Sequence, residues 1–411
     1  MGSQFNKWEY FKIVLVLGAL CTISPFSIDM YLPGFPEMSR DLGTSISNVQ
    51  LSLTAYLVGI AIGQLFYGPL LDRYGRKKPL YIGLGIYVLA SIGCALSQSV
   101  ENLIVMRFLQ AIGGCAGMVS AQAIVRDIFP VGKTAQVLSL LTLVIAVSPM
   151  IAPTVGGFVT AYYNWHWNFI ILAGLTSLIW LGAVTVLPNG ADPDPEISLK
   201  PTKVWKNYGI VLQDRQFLVY MLVGGLAGAA PFAYIASSAD VFMNIYQVSE
   251  QTYGWIFGIL AFAMIGSTQL NHWLLKRYKS QQIIHFSMHY QVFTGILLII
   301  GIYAQLLNVY TLVGLMFLFL TAHGLNSPNT AALSLAPFSR NAGSAAALLG
   351  SMRMAMGGVV SAVISFFHDG TALPMVVGMA ACAAAGFIIL KADEIIPGTI
   401  SKTWKGSALG S

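Results

Sequence analysis

Between two long apolar runs the chain reads Gly68-Pro69-Leu70-Leu71-Asp72-Arg73-Tyr74-Gly75-Arg76-Lys77-Lys78. Two glycines permit a tight turn there. Asp72 can cap or pair at a helix end, and Arg73, Arg76 and Lys77 can bond across to it or to lipid phosphates. A generic basic loop would satisfy the same charge count, but this ordering of Gly, Asp, Arg, Gly and Arg is specific. The run before it covers residues 46–71 and the run after it 79–97, each long enough to cross a bilayer as a helix.

Ten further apolar runs extend the pattern outward: 11–33, 100–125, 134–160, 166–187, 217–241, 252–275, 282–304, 308–330, 341–366 and 371–391. Backbone groups cannot stay unpaired in lipid, so runs of this length must be helices; barrel strands would be half as long and alternating. Composition agrees. The 411 residues are 56% apolar and 9% charged, with a mean hydropathy of +0.70. Soluble domains carry about 25% charge. Twelve spans of about 20 residues need roughly 240 residues, close to the apolar total of roughly 230. The chain is therefore an integral membrane protein, which excludes a soluble enzyme or a protein with a single anchor.

Charge placement fixes the expected orientation. Of the 22 Lys and Arg residues, all but Arg40, Arg107 and Arg353 fall on one side if both termini are cytoplasmic. That is the positive-inside pattern, and it accounts for the net charge of +6 without a nucleic-acid partner. Lys7 and Lys12 precede a first run with no cleavage site, so it reads as a retained span. The ending Gly406-Ser-Ala-Leu-Gly-Ser411 resembles an appended cloning tail, as does Met1-Gly2-Ser3. Cys21, Cys94, Cys115 and Cys382 all lie in apolar runs without CxxC spacing, as buried structural thiols do.

The longest polar stretch, Asn189 to Asp214, divides six spans from six. Leu70-Leu71-Asp72-Arg73-Tyr74 after span 2 matches Leu274-Leu275-Lys276-Arg277-Tyr278 after span 8. The expected architecture is all-α: twelve transmembrane helices in two pseudo-symmetric six-helix halves around a mid-membrane cavity. The expected units are an N-terminal half at 1–190, a cytoplasmic linker at 191–214, a C-terminal half at 215–395 and a tail at 396–411.

Arg107 and Arg353 are charged residues inside spans, where charge is costly and by default faces a cavity or a partner. Counted from the outer ends of their spans, Arg107 lies about 10 Å deep and Asp29 about 6 Å. The two are expected to face each other. Asp29 could then be a switch that takes up and releases a proton, or half of a static ion pair locking spans 1 and 4. Arg353 lies about 18 Å along span 11 and could meet an anionic or electron-rich substrate group, or cap carbonyls of a broken helix. Tyr31, Tyr56, Gln64, Gln110, Asn326 and Asn329 supply neutral hydrogen-bonding groups to a cavity, or helix-packing glue. His323 and His272 could relay protons or be simply hydrogen-bonded. His285 and His289 are one turn apart without a third metal ligand, and Asp240 closes span 7 at the interface. In span 5, Pro149 and Pro153 release backbone groups while Gly156 and Gly157 allow close approach; a rocking helix and a static contact both need that.

At these residues the chain resembles the major facilitator superfamily, specifically its twelve-span drug:proton antiporters. Gly68, Asp72, Arg73, Gly75, Arg76 and Lys77 match the superfamily's Gly-x-Leu-x-Asp-Arg-x-Gly-Arg-Lys loop. Arg107-Phe-Leu-Gln110-Ala-Ile-Gly113-Gly114 resembles the antiporter motif whose Arg is implicated in proton coupling. Pro153, Gly156 and Gly157 match the antiporter signature of span 5, with Ala152 where that signature has Gly. Asp29-Met-Tyr31-Leu-Pro33 and Gln122-Ala-Ile-Val-Arg126-Asp127 are similar to the Bcr/CflA subgroup, the bicyclomycin and chloramphenicol resistance proteins. The resemblance implies a monomer in the bacterial inner membrane that exports drugs against a proton gradient, with membrane lipid around it and no cofactor. Proton coupling would fall to Asp29 and Arg107. One charge moved across 100 mV is worth about 2.3 kcal/mol, enough for roughly a fifty-fold gradient. With Asp29 as the one intramembrane acid and two arginines present, a neutral amphipathic substrate of the chloramphenicol or bicyclomycin kind fits better than a dication. An exporter of a metabolite such as an amino acid or siderophore, and a facilitative uniporter, are the rival readings. The chain has no GxxxxGK[ST] loop for an ATP-driven pump and neither HExxH nor GxSxG for a membrane enzyme.

Overall fold

A computed structural model describes residues 6–195, 201–338 and 342–395. Lys200, Arg340, Lys402 and Lys405 of the basic side, and the whole 396–411 tail, lie outside the described residues. The first half contains α1 (Lys7–Asp29), α2 (Phe35–Asp41), α3 (Ile46–Tyr74), α4 (Lys77–Ala95), α5 (Val100–Ile128), α6 (Val131–Tyr162) and α7 (His166–Val186). The linker contains α8 (Pro201–Leu212), and the second half contains α9 (Arg215–Ala239), α10 (Glu250–Leu274), α11 (Ser280–Tyr303), α12 (Val309–Leu335), α13 (Ala342–Phe366) and α14 (Leu373–Ile395). Among the described residues twelve helices are long and apolar enough to cross a membrane. All the elements except α2 and α8 belong to that set, with α2 continuing the first span around a short turn at Leu32–Gly34.

Local chemistry sets the ends. Asn6 and Glu9 form a reciprocal capping box at the start of α1. The side chains of Ser45, Ser99, Asp214, Ser249 and Asn308 accept backbone N–H bonds at the starts of α3, α5, α9, α10 and α12. Large apolar side chains such as Leu15, Leu89, Leu178, Leu181, Phe262 and Phe293 are exposed on the outside of the bundle. Water would penalise such a belt, whereas lipid accepts it.

Two features depart from the span pattern. The linker contains α8, which buries Tyr208 and Val211 and exposes Trp205 and Ile210, so it is amphipathic. Beyond Ala239 the chain continues as a wider π coil over Asp240–Ile245, which carries Asp240 into the interior instead of leaving it at an interface.

In the first half α5 packs on α3 and α4, while α1 packs on α6, α5 and α7. In the second half α9 packs on α13, α14 and α12, and α12 on α10 and α11. The halves meet mainly through α3 with α13 and through α6 with α10. In span order these are 2 with 11 and 5 with 8, pairs that exchange under the six-span repeat. The start of α1, the end of α14 and the basic loops after α3, α5 and α10 share one end of the bundle, here the near end. At the far end one core runs through both halves and includes Met30, Trp165 and Phe169 of the first, and Ala233, Tyr253 and Phe257 of the second. At the near end the halves part around a cavity of about 860 Å³.

Glycines make the far-end closure possible. A Cβ on Gly156 would collide with the Met30 carbonyl, so α6 rests directly on the chain that follows α1. Its neighbour Gly157 faces the other way: a Cβ there would lie 2.8 Å from the Glu250 carbonyl oxygen of the second half. On the opposing helix, Gly254 sets its own bare Cα against Thr154.

Candidate functional site

The near-end rim is built around Pro69 and Gly75. Pro69 lies inside α3 and has no N–H, so the Leu65 carbonyl one turn earlier loses its helical donor. The Tyr208 hydroxyl of α8 donates to that carbonyl at 2.8 Å. Gly75 takes φ +78° and ψ 169°, an extended positive-φ conformation essentially confined to glycine, at the turn between α3 and α4. The turn brings Arg76 between two carboxylates: Nη1 donates to Asp72 and Nε to Asp127 at 2.7 Å. Partial burial alone would lower the Arg76 pKa, but the two carboxylates beside it outweigh that and hold it above the ordinary guanidinium value. Asp127 also accepts the Ala191 N–H at 2.9 Å, and the Asp194 N–H donates to the Asp72 carbonyl at 3.1 Å. The loop motif thus ties α3, α5 and the start of the linker together. Arg73 lies over the Tyr74 ring, and Lys77 opens α4 with no ion pair among the described residues. Gly68 and Asp72 line the cavity.

Deeper in the first half, Arg107 is fully buried on α5. Its Nη2 donates to the Ser27 carbonyl at 2.8 Å and its Nη1 to Gln110, whose amide nitrogen donates to Ser91 at 2.7 Å. The guanidinium carbon lies 4.1 Å from the ring centres of both Tyr31 and Tyr56. This is a cation held by neutral acceptors and aromatic faces. The expected Asp29–Arg107 ion pair is not formed. Asp29 closes α1 at 3% exposure, and its carboxyl makes no hydrogen bond or ion pair among the described residues. It lies within electrostatic reach of Tyr234 and Tyr253 in the second half. The reason is helical phase: Ser27 and Asp29 are about 200° apart around α1 at 3.6 residues per turn, so one faces α5 while the other faces α9 and α10.

The cavity lining includes Gln64, Gln122, Arg126, Asn207, Tyr208 and Arg353. Tyr31, Tyr56, Gln110 and Asn326 do not line it. The first three enclose Arg107, and Asn326 is buried within the second half. Side chains expected at a ligand are instead occupied with one another.

The sequence matches the family model of the Major Facilitator Superfamily over residues 17–362. The chain belongs to this superfamily. It is 35% identical over 374 residues to an uncharacterized MFS-type transporter, YdgK, of Bacillus subtilis, covering 89% of this chain and 91% of that one. It is 29% identical to the bicyclomycin resistance protein homolog of Haemophilus influenzae (90% and 93% covered) and 30% identical to the chloramphenicol resistance protein of Pseudomonas aeruginosa (92% and 90%). These relatives assign it to the Bcr/CflA type within the superfamily. The crystal structure of a D-xylose–proton symporter shares the fold, with a TM-score of 0.73 at 15% identity over 93% of this chain and 96% of that one. The protein is a multi-pass bacterial membrane transporter and not an enzyme.

Inside the second half, neutral polar side chains pair with one another across helices. Ser287 donates to the Asn326 side-chain oxygen, Asn326 donates to Gln291 at 3.2 Å, and Asn329 donates to Asn271 at 2.6 Å. His323 follows the logic of Tyr208: Pro231 frees the Ala227 carbonyl, and His323 Nδ1 faces that oxygen at 3.5 Å. A carbonyl accepts only, so a hydrogen bond there requires the tautomer protonated on Nδ1. His272 is exposed, and His289 Nδ1 contacts the His285 carbonyl at 2.7 Å. Asp240 binds Asn244 and lies 3.6 Å from His368 Nε2. In α6, Pro149 and Pro153 lie within a continuous helix, followed directly by the Gly156 and Gly157 contacts.

Tyr208, Ser27 and His368 escaped the sequence reading, and Asp127 entered it only as part of the Gln122–Asp127 motif, with no role of its own. Asp127 carried a usable signal, an acid at the end of span 4 on the basic side. Ser27 contributes only a backbone carbonyl, which no side-chain pattern reveals.

Proposed function

We propose that the protein exports small amphipathic molecules from the cytoplasm in exchange for protons, by alternating access of the cavity between its halves. Molecules of the chloramphenicol or bicyclomycin kind are the expected cargo, and the near end is the cytoplasmic side of the inner membrane. The observation that carries this reading is Asp29, an acid buried where the two halves meet, without a cation partner among the described residues. An ionised carboxylate enclosed between apolar faces is costly, so the far end closes over the neutral acid and opens over the carboxylate. When the far end opens, water reaches Asp29 and a proton binds from outside. Closure carries it inward. Arg107 waits nearby on neutral acceptors, the Ser27 carbonyl and Gln110; transfer of its guanidinium to Asp29 would expel the proton on the inner side.

Relatives bearing the names of bicyclomycin and chloramphenicol resistance support the substrate class. The test is chloramphenicol transport into proteoliposomes under an imposed proton gradient, wild type beside Asp29→Asn. Accumulation driven by the gradient in wild type and abolished in the variant is expected. Wild-type transport indifferent to the gradient would make the protein a facilitative uniporter.

A further inference from the structure

At the rim of the cavity positive charge is answered: Arg76 bridges Asp72 and Asp127. Deeper in, it is not. Arg353 of α13 lines the cavity and makes no ion pair with any acid among the described residues. Its Nη2 donates to the Ser327 carbonyl at 3.0 Å and to Thr330 Oγ1 at 3.2 Å, and its Nη1 reaches Ser327 Oγ at 3.4 Å. Its Nε–H is buried and donates to nothing. Across from it, Gln64 of α3 also lines the cavity, and its amide makes no hydrogen bond among the described residues. Gln64 reaches the same helix, because a Cβ at Gly350, one turn before Arg353, would collide with the Gln64 amide oxygen.

We propose that Arg353 and Gln64 form a carboxylate subsite at the head of the cavity, so that the cargo extends beyond neutral drugs to amphipathic monocarboxylates, which bind there in preference to their uncharged analogues. The inference rests on reading this cavity as the transport cavity. A half-buried guanidinium with no acid beside it has already met part of its desolvation cost, so a carboxylate arriving there keeps more of the attraction than it would at the surface. The Gln64 amide N–H adds a second donor from the other half. Such cargo touches both halves at once, while the apolar remainder of the molecule faces the Leu71, Met118, Val119 and Leu349 walls.

The matched probes are 4-phenylbutyrate and 4-phenylbutyramide, which differ only in the ionised group. Equilibrium binding to purified, detergent-solubilised protein at pH 7.5, read by calorimetry without any gradient, is expected to favour the acid by at least about tenfold in wild type. Arg353→Gln should abolish the preference and Gln64→Leu should weaken acid binding severalfold. Arg353→Lys should keep part of the preference and covers the case in which the Gln variant does not fold. Equal affinity for acid and amide in wild type, no binding of the acid at millimolar concentration, or an undiminished preference in folded Arg353→Gln each overturns the subsite. Because no gradient enters the measurement, intact acid selectivity in a protein that shows no proton-driven transport would refute the export reading alone.

Discussion

Gly157→Ala should shift the balance between the two access states while leaving each half folded. Its Cβ would sit 2.8 Å from the Glu250 carbonyl oxygen, where ordinary contact begins at 3.4 Å. The contact joins the halves, so the strain exists only while the far end is closed. Overpacking of this kind costs about 1–3 kcal/mol, which corresponds to about a 5- to 150-fold shift toward the state open at the far end. Gly156→Ala is the control, because its clash with the Met30 carbonyl lies within the first half. It should lower the melting temperature with little change in the balance. Spin labels at Leu96→Cys and Leu306→Cys, both exposed on far-end loops of opposite halves, report the opening by electron–electron double resonance. The four native thiols are buried and should stay unlabelled. Gly157→Ala should lengthen the mean distance, and Gly254→Ala, which crowds Thr154 across the same seam, should do likewise. An unchanged distribution in folded Gly157→Ala, or an equal shift in Gly156→Ala, would refute the reasoning.

Arg107→Lys should destabilise the protein by about 2 kcal/mol, since an ammonium cannot stack between Tyr31 and Tyr56 while reaching both the Ser27 carbonyl and Gln110; thermal unfolding followed by fluorimetry measures this. Gly75→Ala should cost about 1–3 kcal/mol from the backbone conformation alone, with further crowding against Pro193; the same melt should show it, with no loss of helix by circular dichroism.

Span positions were legible because lipid imposes a length and a polarity that the chain writes out directly. Facing residues were not, because hydropathy gives depth along a helix while pairing also needs the angle around it. Asp29 and Arg107 agree in depth and differ in azimuth, so Arg107 bonds the backbone of Ser27 instead. The loop motif was legible in composition, yet its anchor, Asp127, comes from a helix 51 positions away. Gln64 and Arg353 line the cavity, while Gln110 and Asn326 are polar residues of the same kind that spend their hydrogen bonds inside a half. The repeat around Lys276 and Arg277 was visible, but Lys276 stands where Asp72 does in the first half, so an Arg76-like bridge has no acid to accept it there.

The tyrosine that fills the proline gap bears on how the chain can be divided. Tyr208 belongs to the linker, but its hydroxyl is spent on the Leu65 carbonyl of the first half, while the linker's opening residues, Ala191 and Asp194, dock on Asp127 and Asp72. A transporter cut between Pro195 and α8 and expressed as two polypeptides would keep both docks. The fragment beginning at α8 would carry its own address for its mate, a helix that recognises the notch Pro69 leaves in α3. Trimming that helix away would leave the α3–α13 and α6–α10 seams to find their register unaided.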